Sequence, residues 1–228
     1  ILRFQLPATL GSDLAGVIVE TGSRVTRFKV GDAVFASIFD LGTGSLPEFA
    51  VVPESAAALK PANLDFVQAA SIPMVGLTSW QALKERAKLK PGQKVFIPAG
   101  SGGIGTFAIQ LAKHIGAKVG TTTSTSNVEL VRSLGADEVI DYKKQEFEEV
   151  LRNYDVVLGT VKGDTIEKSL RILKSKSNVV CDALILDEAS VRDGRTRVAI
   201  DGERIVGFAT TLPEGDIDEL DDLFVDPE

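Results

Sequence analysis

A glycine-rich loop constrains the possible fold of this chain more than any other feature. It lies between an apolar segment and a segment with apolar residues at helical spacing. The segment 94–99 is typical of a buried strand, and the loop that follows reads Gly100-Ser-Gly-Gly-Ile-Gly105. Gly100 allows a tight turn, Gly102 leaves room for a pyrophosphate against backbone amides, and Gly105 lets the next helix pack closely on the sheet. The amides and the positive end of the helix dipole favour phosphate groups. Residues 94–142 are therefore predicted to form the dinucleotide-binding half of a βαβ sheet.

Strands and helices are predicted to alternate along this part of the chain, which indicates a parallel sheet with crossover helices. The predicted strands are 94–98, 117–122, 138–140, 154–158 and 178–181, and the predicted helices are 103–115, 127–134, 145–152 and 164–173. Upstream, short strands at 14–20, 30–39 and 48–52 indicate a small β-domain, followed by helices at 65–72 and 77–88 that Pro73 and Gly76 separate. The fold class is therefore α/β.

Composition excludes several classes of site. The chain has one cysteine, Cys181, and one histidine, His114, so neither an internal disulfide nor a four-ligand Cys/His zinc site is expected. Residues 214–228 carry eight acidic and no basic residues, a charge of −8, whereas the net charge of the whole chain is −7. The rest of the chain is therefore nearly neutral, and nucleic-acid binding is not expected. No transmembrane helix or signal peptide is expected either, and a reducing compartment such as the cytoplasm fits, with an organelle not excluded.

The end of the second strand of the motif favours NADPH over NADH. NAD sites usually carry an acidic residue roughly 20 residues beyond the glycines, where it binds the ribose hydroxyls. This chain has a Ser/Thr-rich run at 121–127 and no acidic residue before Glu129. Hydroxyls and an amide can donate hydrogen bonds to a 2′-phosphate, which a carboxylate would repel. The same run also fits a helix N-cap, and both functions are compatible.

The glycine loop and four other segments carry a family resemblance. They are Ala99–Gly105, Gly11–Gly22, Phe28–Val34, Ala69–Leu83 and Ser133–Tyr142. Together they resemble the medium-chain dehydrogenases/reductases, and more narrowly the zinc-independent quinone oxidoreductase-like branch, over about residues 5–181. The resemblance implies a partial GroES-like β-domain at 1–62, a Rossmann-type dinucleotide-binding domain at 63–182, and an acidic β-rich tail of uncertain origin at 183–228.

The resemblance also implies positions for the cofactor contacts. Thr78 is expected near the nicotinamide, and Tyr142, Ser124 and Asn127 near the adenosine 2′-phosphate. The full set of predicted cofactor-binding residues is Thr78, Gly100, Ser101, Gly102, Gly103, Ile104, Gly105, Ser124, Asn127 and Tyr142. Ser12 stands where zinc-dependent relatives carry a catalytic histidine. The expected activity is hydride transfer from NADPH to a small quinone or α,β-unsaturated carbonyl, with no assigned catalytic residue, and a homodimer is possible.

Three departures leave other functions open. The family's first β-segment should precede Ile1, residues 175–178 replace the usual turn, and the resemblance is expected to stop near residue 182. Residues 190–228, including a predicted hairpin at Asp201 and a strand at 219–225, resemble a fragment of a GNAT-type N-acetyltransferase. A non-catalytic NADPH-binding protein, a truncated or fused reductase and an acyltransferase fragment are therefore the alternatives. Asp13 is expected in a turn or strand rather than as a catalytic acid.

Overall fold

The structure is a computed structural model that describes residues 9–39, 41, 44–161, 164–181, 184–187, 196–201 and 204–210. Contacts between Cα atoms divide the chain into two units, residues 1–77 and residues 78–228. No helix within the described residues is both long and apolar enough to cross a membrane.

The first unit contains a three-stranded antiparallel sheet in the order β1-β2-β3. Its strands are β1 (Asp13–Val17), β2 (Ala33–Ser37) and β3 (Ala57–Leu59). The third strand predicted at 48–52 is wrong, because Phe49 and Val51 are 72% and 86% exposed and the segment pairs with no described strand. The strand instead follows the 3₁₀ turn Glu54–Ala56, where Ala57 pairs with Ala36 beside buried Ile38.

Two helices follow this sheet. The first, α1 (Phe66–Ala70), begins with a capping box. The Asp65 carboxylate accepts a hydrogen bond from Gln68 N–H at 2.7 Å, and Gln68 Oε1 accepts one from Asp65 N–H at 3.1 Å. The two predicted helices are separate, but the second begins at Pro73 and not at 77, so Gly76 lies inside it. Pro73 is the first residue of α2 (Pro73–Trp80), where its missing N–H is not needed. A π-helical segment, Gln81–Arg86, continues α2.

The second unit is built on a six-stranded sheet in the order β6-β5-β4-β7-β8-β9, in which only β9 is antiparallel to its neighbour. Its strands are β4 (Lys94–Ile97), β5 (Lys118–Thr123), β6 (Glu138–Asp141), β7 (Tyr154–Gly159), β8 (Leu173–Cys181) and β9 (Leu184–Asp187). The helices are α3 (Gly103–Ile115), α4 (Val128–Ser133), α5 (Phe147–Val150) and α6 (Thr165–Leu170). This is the strand order of a Rossmann sheet, so the predicted α/β class is confirmed.

The two faces of this sheet are covered by different elements. Ala108, Ile109 and Ala112 of α3 belong to one buried cluster with β4 and β5. A second buried cluster contains Phe96 and Phe147, which stack with ring centroids 4.6 Å apart. Burial of β4 on both faces explains its continuous apolar sequence.

Toward the C-terminus, the strands differ from the prediction in extent. Strand β8 begins at Leu173 rather than at 178, so residues 175–178, which replace the turn usual in the family, form part of the strand. The β7–β8 register shifts near Val156. The predicted hairpin is confirmed as two antiparallel strands, β10 (Thr196–Asp201) and β11 (Arg204–Thr210). Its turn at 202–203 and the predicted strand at 219–225 lie outside the described residues.

Candidate cofactor-binding site

The glycine loop after β4 is tied to β5 by three hydrogen bonds. Gly100 N–H donates to the Thr122 carbonyl at 2.9 Å, Ala99 N–H donates to Thr122 Oγ1 at 3.0 Å, and Thr121 Oγ1 donates to the Ile97 carbonyl at 2.6 Å. The left-handed backbone of the turn lies at Ala99, with φ of 53°, and not at Gly100. Gly100 is needed for space, because a Cβ atom there would overlap Thr121 Oγ1.

The start of α3 leaves an open ledge of backbone amides. Gly102 is the N-cap residue, and no side chain caps it. Gly102 and Gly103 are exposed, and the nearest atom to a Cβ built on Gly102 is the Ala99 carbonyl oxygen at 3.2 Å. A Cβ on Gly105 would instead meet backbone, including Gly100 Cα at 2.7 Å. This arrangement fits a diphosphate, since amides without internal partners face a space that no side chain fills.

A polar cluster joins this loop to the end of β5. Ser101 Oγ accepts from Thr123 Oγ1 at 2.9 Å and from Asn127 Nδ2 at 3.3 Å. Asn127 Nδ2 also reaches Ser124 Oγ at 3.3 Å. The structure therefore brings together Ser101, Ser124 and Asn127, which the sequence assigned to one site from two separate loops.

The loop after β6 adds a charged group to the same edge of the sheet. Asp141 Oδ2 accepts from Thr125 Oγ1 at 2.7 Å and lies 3.3 Å from Lys144 Nζ, and Asp141 Oδ1 accepts from Lys143 N–H at 3.1 Å. The hydrogen bond from Thr125, with those from Lys143 and Lys144, outweighs the opposing desolvation and holds the pKa of Asp141 below its ordinary value.

Tyr142 lies in this loop with a side chain that is 57% exposed, and its N–H donates to the Thr123 carbonyl at 3.1 Å. Sequence reasoning missed Lys143 and Lys144. Their signal was a pair of cations directly after Tyr142, at the end of the strand that neighbours β5.

The remaining candidate residues lie elsewhere. Thr78 is half-buried in α2, and no hydrogen bond within the described chain connects it to the glycine loop. Asp13 begins β1 and accepts from Met74 N–H in the first turn of α2 at 3.0 Å, which is a capping role. His114 is exposed in the last turn of α3, which Gly116 ends in a left-handed conformation with φ of 91°.

The donor set of this chain does not fit a four-ligand zinc site of the Cys/His kind. Ser12 replaces the expected histidine, His114 ends α3, and Cys181 ends β8, where its side chain lies outside the described set. Across the part of the chain that the structure describes, no group of three His, Cys, Asp or Glu residues is placed to hold a metal ion.

Two family descriptions match separate parts of the chain. The alcohol dehydrogenase GroES-like domain matches residues 2–62, and the zinc-binding dehydrogenase domain matches residues 103–226. The second match covers more than half of the 228 residues. It also runs far beyond residue 182, so the expectation that the family resemblance stops there is wrong. The proposed N-acetyltransferase fragment at 190–228 has no support.

Known relatives agree with these matches. The chain is 40% identical over 183 residues to the 2-methylene-furan-3-one reductase of Solanum lycopersicum, covering 77% of this chain and 46% of that protein. It is also 40% identical over 183 residues to the chloroplastic NADPH-dependent alkenal/one oxidoreductase of Arabidopsis thaliana, covering 77% and 47%. The chain thus spans about half the length of these relatives.

Among solved structures, the quinone oxidoreductase from Coxiella burnetii is similar, with a TM-score of 0.72 and 36% identity over 76% of this chain and 55% of that one. Sheet order, glycine loop and sequence matches all agree. The chain belongs to the zinc-binding dehydrogenase family, with its GroES-like domain, within the medium-chain dehydrogenase/reductase superfamily.

Proposed function

We propose that this chain binds NADPH at the edge formed by the loops after β4, β5 and β6, and that it serves as a zinc-free reductase of a quinone or an α,β-unsaturated carbonyl. The observation that carries the proposal is the open ledge of the Gly103 and Ile104 amides next to Gly102, bordered by the Ser101–Ser124–Asn127 cluster. Relatives whose names specify an NADPH-dependent alkenal/one oxidoreductase and a quinone oxidoreductase support the choice of cofactor and acceptor.

The preference for NADPH rests on charge at the end of β5. Residues 121–127 contain hydroxyl and amide groups and no carboxylate, so no side chain of this segment repels a 2′-phosphate. Lys143 and Lys144 add positive charge beyond Tyr142. Under this proposal, the amides of Gly103 and Ile104 hold the diphosphate, and Ser124, Asn127 and Tyr142 surround the 2′-phosphate.

Bound NADPH supplies a hydride for an electron-poor carbon of the acceptor. The chain contributes by fixing the cofactor through Ser101 and the amide ledge, which orients the dihydronicotinamide toward the acceptor. We propose that Thr78 contacts the nicotinamide end. The reduced acceptor takes its proton from water, so no side chain is assigned as an acid. The single cysteine and single histidine do not fit a four-ligand Cys/His zinc site, so the proposed reaction assigns no role to zinc.

The test is a fluorescence titration of NADPH and NADH with wild-type protein and with Gly102→Val. The valine side chain would fill the space proposed for the diphosphate, so NADPH affinity should fall at least about tenfold, equivalent to ~1.4 kcal/mol. The backbone of Gly102 (φ −77°) accepts valine without a left-handed conformation, and the Ala99 carbonyl oxygen, 3.2 Å from the added Cβ, must shift only slightly. Thermal denaturation of the variant checks that the fold persists. Gly22→Val is the matched control, because a Cβ there meets nothing within 4 Å and lies outside the site.

Turnover is then measured as NADPH oxidation with a small quinone and with an enone. NADPH binding that Gly102→Val abolishes, together with acceptor-dependent oxidation, supports the reductase. Binding without turnover supports the alternative of a non-catalytic NADPH-binding protein. If neither nucleotide binds the wild-type chain, or if Gly102→Val binds as well as wild type does, the proposed site is wrong.

A further inference from the structure

We propose that Thr125 and Asp141 are positioning residues that set the preference of this chain for NADPH over NADH. The hydrogen bond from Thr125 Oγ1 to Asp141 Oδ2, here named the β5–β6 latch, would hold the loop after β5 where it receives the adenosine 2′-phosphate. Neither residue is assigned a contact with the cofactor. This inference rests on the NADPH site proposed above.

The loop between β5 and α4 is short and depends on the latch for its connection to β6. The short 3₁₀ turn Thr125–Asn127 connects β5 to α4, and within the turn the backbone closes locally, with Asn127 N–H donating to the Ser124 carbonyl at 2.9 Å. Such a single turn has little stiffness of its own. Among the described side chains, Thr125 supplies the hydrogen bond from this turn to β6, at 2.7 Å.

The turn is fastened at two opposite points. Asn127 Nδ2 reaches Ser101 of the glycine loop at 3.3 Å, and Thr125 reaches Asp141 on the other side. The turn therefore lies between the loops after β4 and β6, with Ser124 and Asn127 held between them. Loss of the Thr125 hydroxyl would free one side, and the two groups proposed to receive the 2′-phosphate would lose their fixed position.

The negative charge of Asp141 must be offset for the β5–β6 latch to favour a 2′-phosphate. A free carboxylate this close to a 2′-phosphate would repel it, yet the Asp141 side chain is only 10% exposed. Thr125 and Lys144 both contact Oδ2, and Lys143 N–H donates to Oδ1. The carboxylate thus serves as an acceptor for the latch, while the Lys144 ammonium offsets its charge beside the turn.

The experiment compares Thr125→Val with Thr125→Ser by titrating NADPH, NADH and 2′,5′-ADP. Valine has nearly the shape of threonine but no hydroxyl, whereas serine keeps the donor. Thr125→Val should weaken binding of NADPH and 2′,5′-ADP about tenfold and change NADH affinity less than about twofold. Thr125→Ser should restore the preference. Thr26→Val, at an exposed threonine of the first unit, is the matched control.

Lys144→Gln provides an independent variant, since Lys144 is 67% exposed and its replacement leaves the latch donor in place. It leaves the Asp141 charge without its counterion, so NADPH should again weaken more than NADH. Equal losses for both nucleotides in Thr125→Val would mean that Thr125 only stabilises the fold and would overturn the inference. An unchanged preference in Thr125→Val would overturn it as well, whatever Lys144→Gln does. Wild-type protein that binds both nucleotides equally overturns it while leaving the cofactor site intact. Wild-type protein that binds neither overturns both.

Discussion

Gly105 illustrates at the residue scale how closely α3 approaches the loop that precedes it. A Cβ atom at this position would overlap the Ala99 carbonyl oxygen and would lie 2.7 Å from Gly100 Cα. Both neighbours are backbone atoms of a turn that three hydrogen bonds fix to β5. They cannot move aside as a flexible side chain could, so the requirement for glycine is steric.

We expect Gly105→Ala to lower the free energy of unfolding by about 1–3 kcal/mol, the usual cost of forcing extra volume into a packed site. Thermal or urea denaturation of the purified chain measures the change. Gly22→Ala is the control, because a Cβ there meets nothing within 4 Å, and its effect should stay within about 0.5 kcal/mol. Equal stability of Gly105→Ala and wild type would mean that α3 can move away from the loop at little cost.

At the residue scale, the sequence predicted the positions of the loop glycines but not the contacts around them. The glycine spacing identified Gly100 and Gly105, where a Cβ atom would overlap neighbouring atoms, and Gly102, which borders the space proposed for the diphosphate. Spacing alone could not show that the left-handed residue of the turn is Ala99. The link between Thr125 and Asp141 was also out of reach, because it depends on which strand lies beside β5.

Element boundaries in the second unit followed from the alternation of apolar strands with amphipathic helices. The predicted helix 103–115 has the bounds of α3, and the predicted strand 154–158 differs from β7 by one residue. In the first unit, the apolar residues at 48–52 resembled a strand, although residues 48–51 are exposed and only Val52 is half-buried. Predictions of short strands fail in this way because the available pairing partners decide whether a short strand forms, and the local sequence pattern does not.

Asp137 connects three elements of the second unit. Asp137 directly precedes β6. Its carboxylate lies 2.9 Å from Lys113 Nζ of α3 and accepts a hydrogen bond from Val119 N–H of β5 at 2.7 Å. Burial alone would raise the pKa of Asp137, but the hydrogen bonds from Lys113 and Val119 and the charges of Lys113 and Lys118 hold that pKa below its ordinary value of 3.8.

We therefore expect Asp137→Asn to lower the melting temperature at pH 7 by at most roughly 2–4 °C, because solvent screens this 39% exposed carboxylate and limits its contribution to ~1 kcal/mol or less. A depressed folded-state pKa means that the ionised carboxylate stabilises the fold above about pH 4 and loses this effect as pH falls through the depressed value. The difference between variant and wild type should accordingly shrink in melting curves recorded at about pH 3.

The control for this pH series is Glu129→Gln, which removes an exposed ion pair with Arg132 inside α4. Exposed pairs of this kind contribute little, so its melting temperature should match that of wild type at each pH. A constant deficit of Asp137→Asn across the whole range would show that the asparagine perturbs packing and that the charge is not responsible.

At the scale of the whole molecule, the described strands form three sheets of six, three and two strands. Strand β4 is flanked by β5 and β7, and Val95, Phe96 and Ile97 have no exposed surface. The hairpin of β10 and β11 pairs only with itself among the described strands. Stability should differ between sheets, because a two-stranded hairpin is marginal while a covered parallel sheet opens only when the domain unfolds.

Hydrogen exchange followed by mass spectrometry should therefore rank the three sheets. We expect the slowest amide exchange in β4 and β7, faster exchange in the β1–β3 sheet, and the fastest strand exchange in β10 and β11. Addition of NADPH should slow exchange at 99–105, 121–127 and 141–144, since those loops meet at the proposed site, and should leave the hairpin unchanged. A hairpin as protected as β4 would mean that residues 196–210 are part of the same cooperative unit as the large sheet. Protection by NADPH that is spread evenly over the chain would indicate general stabilisation instead of binding at the edge where β4, β5 and β6 end.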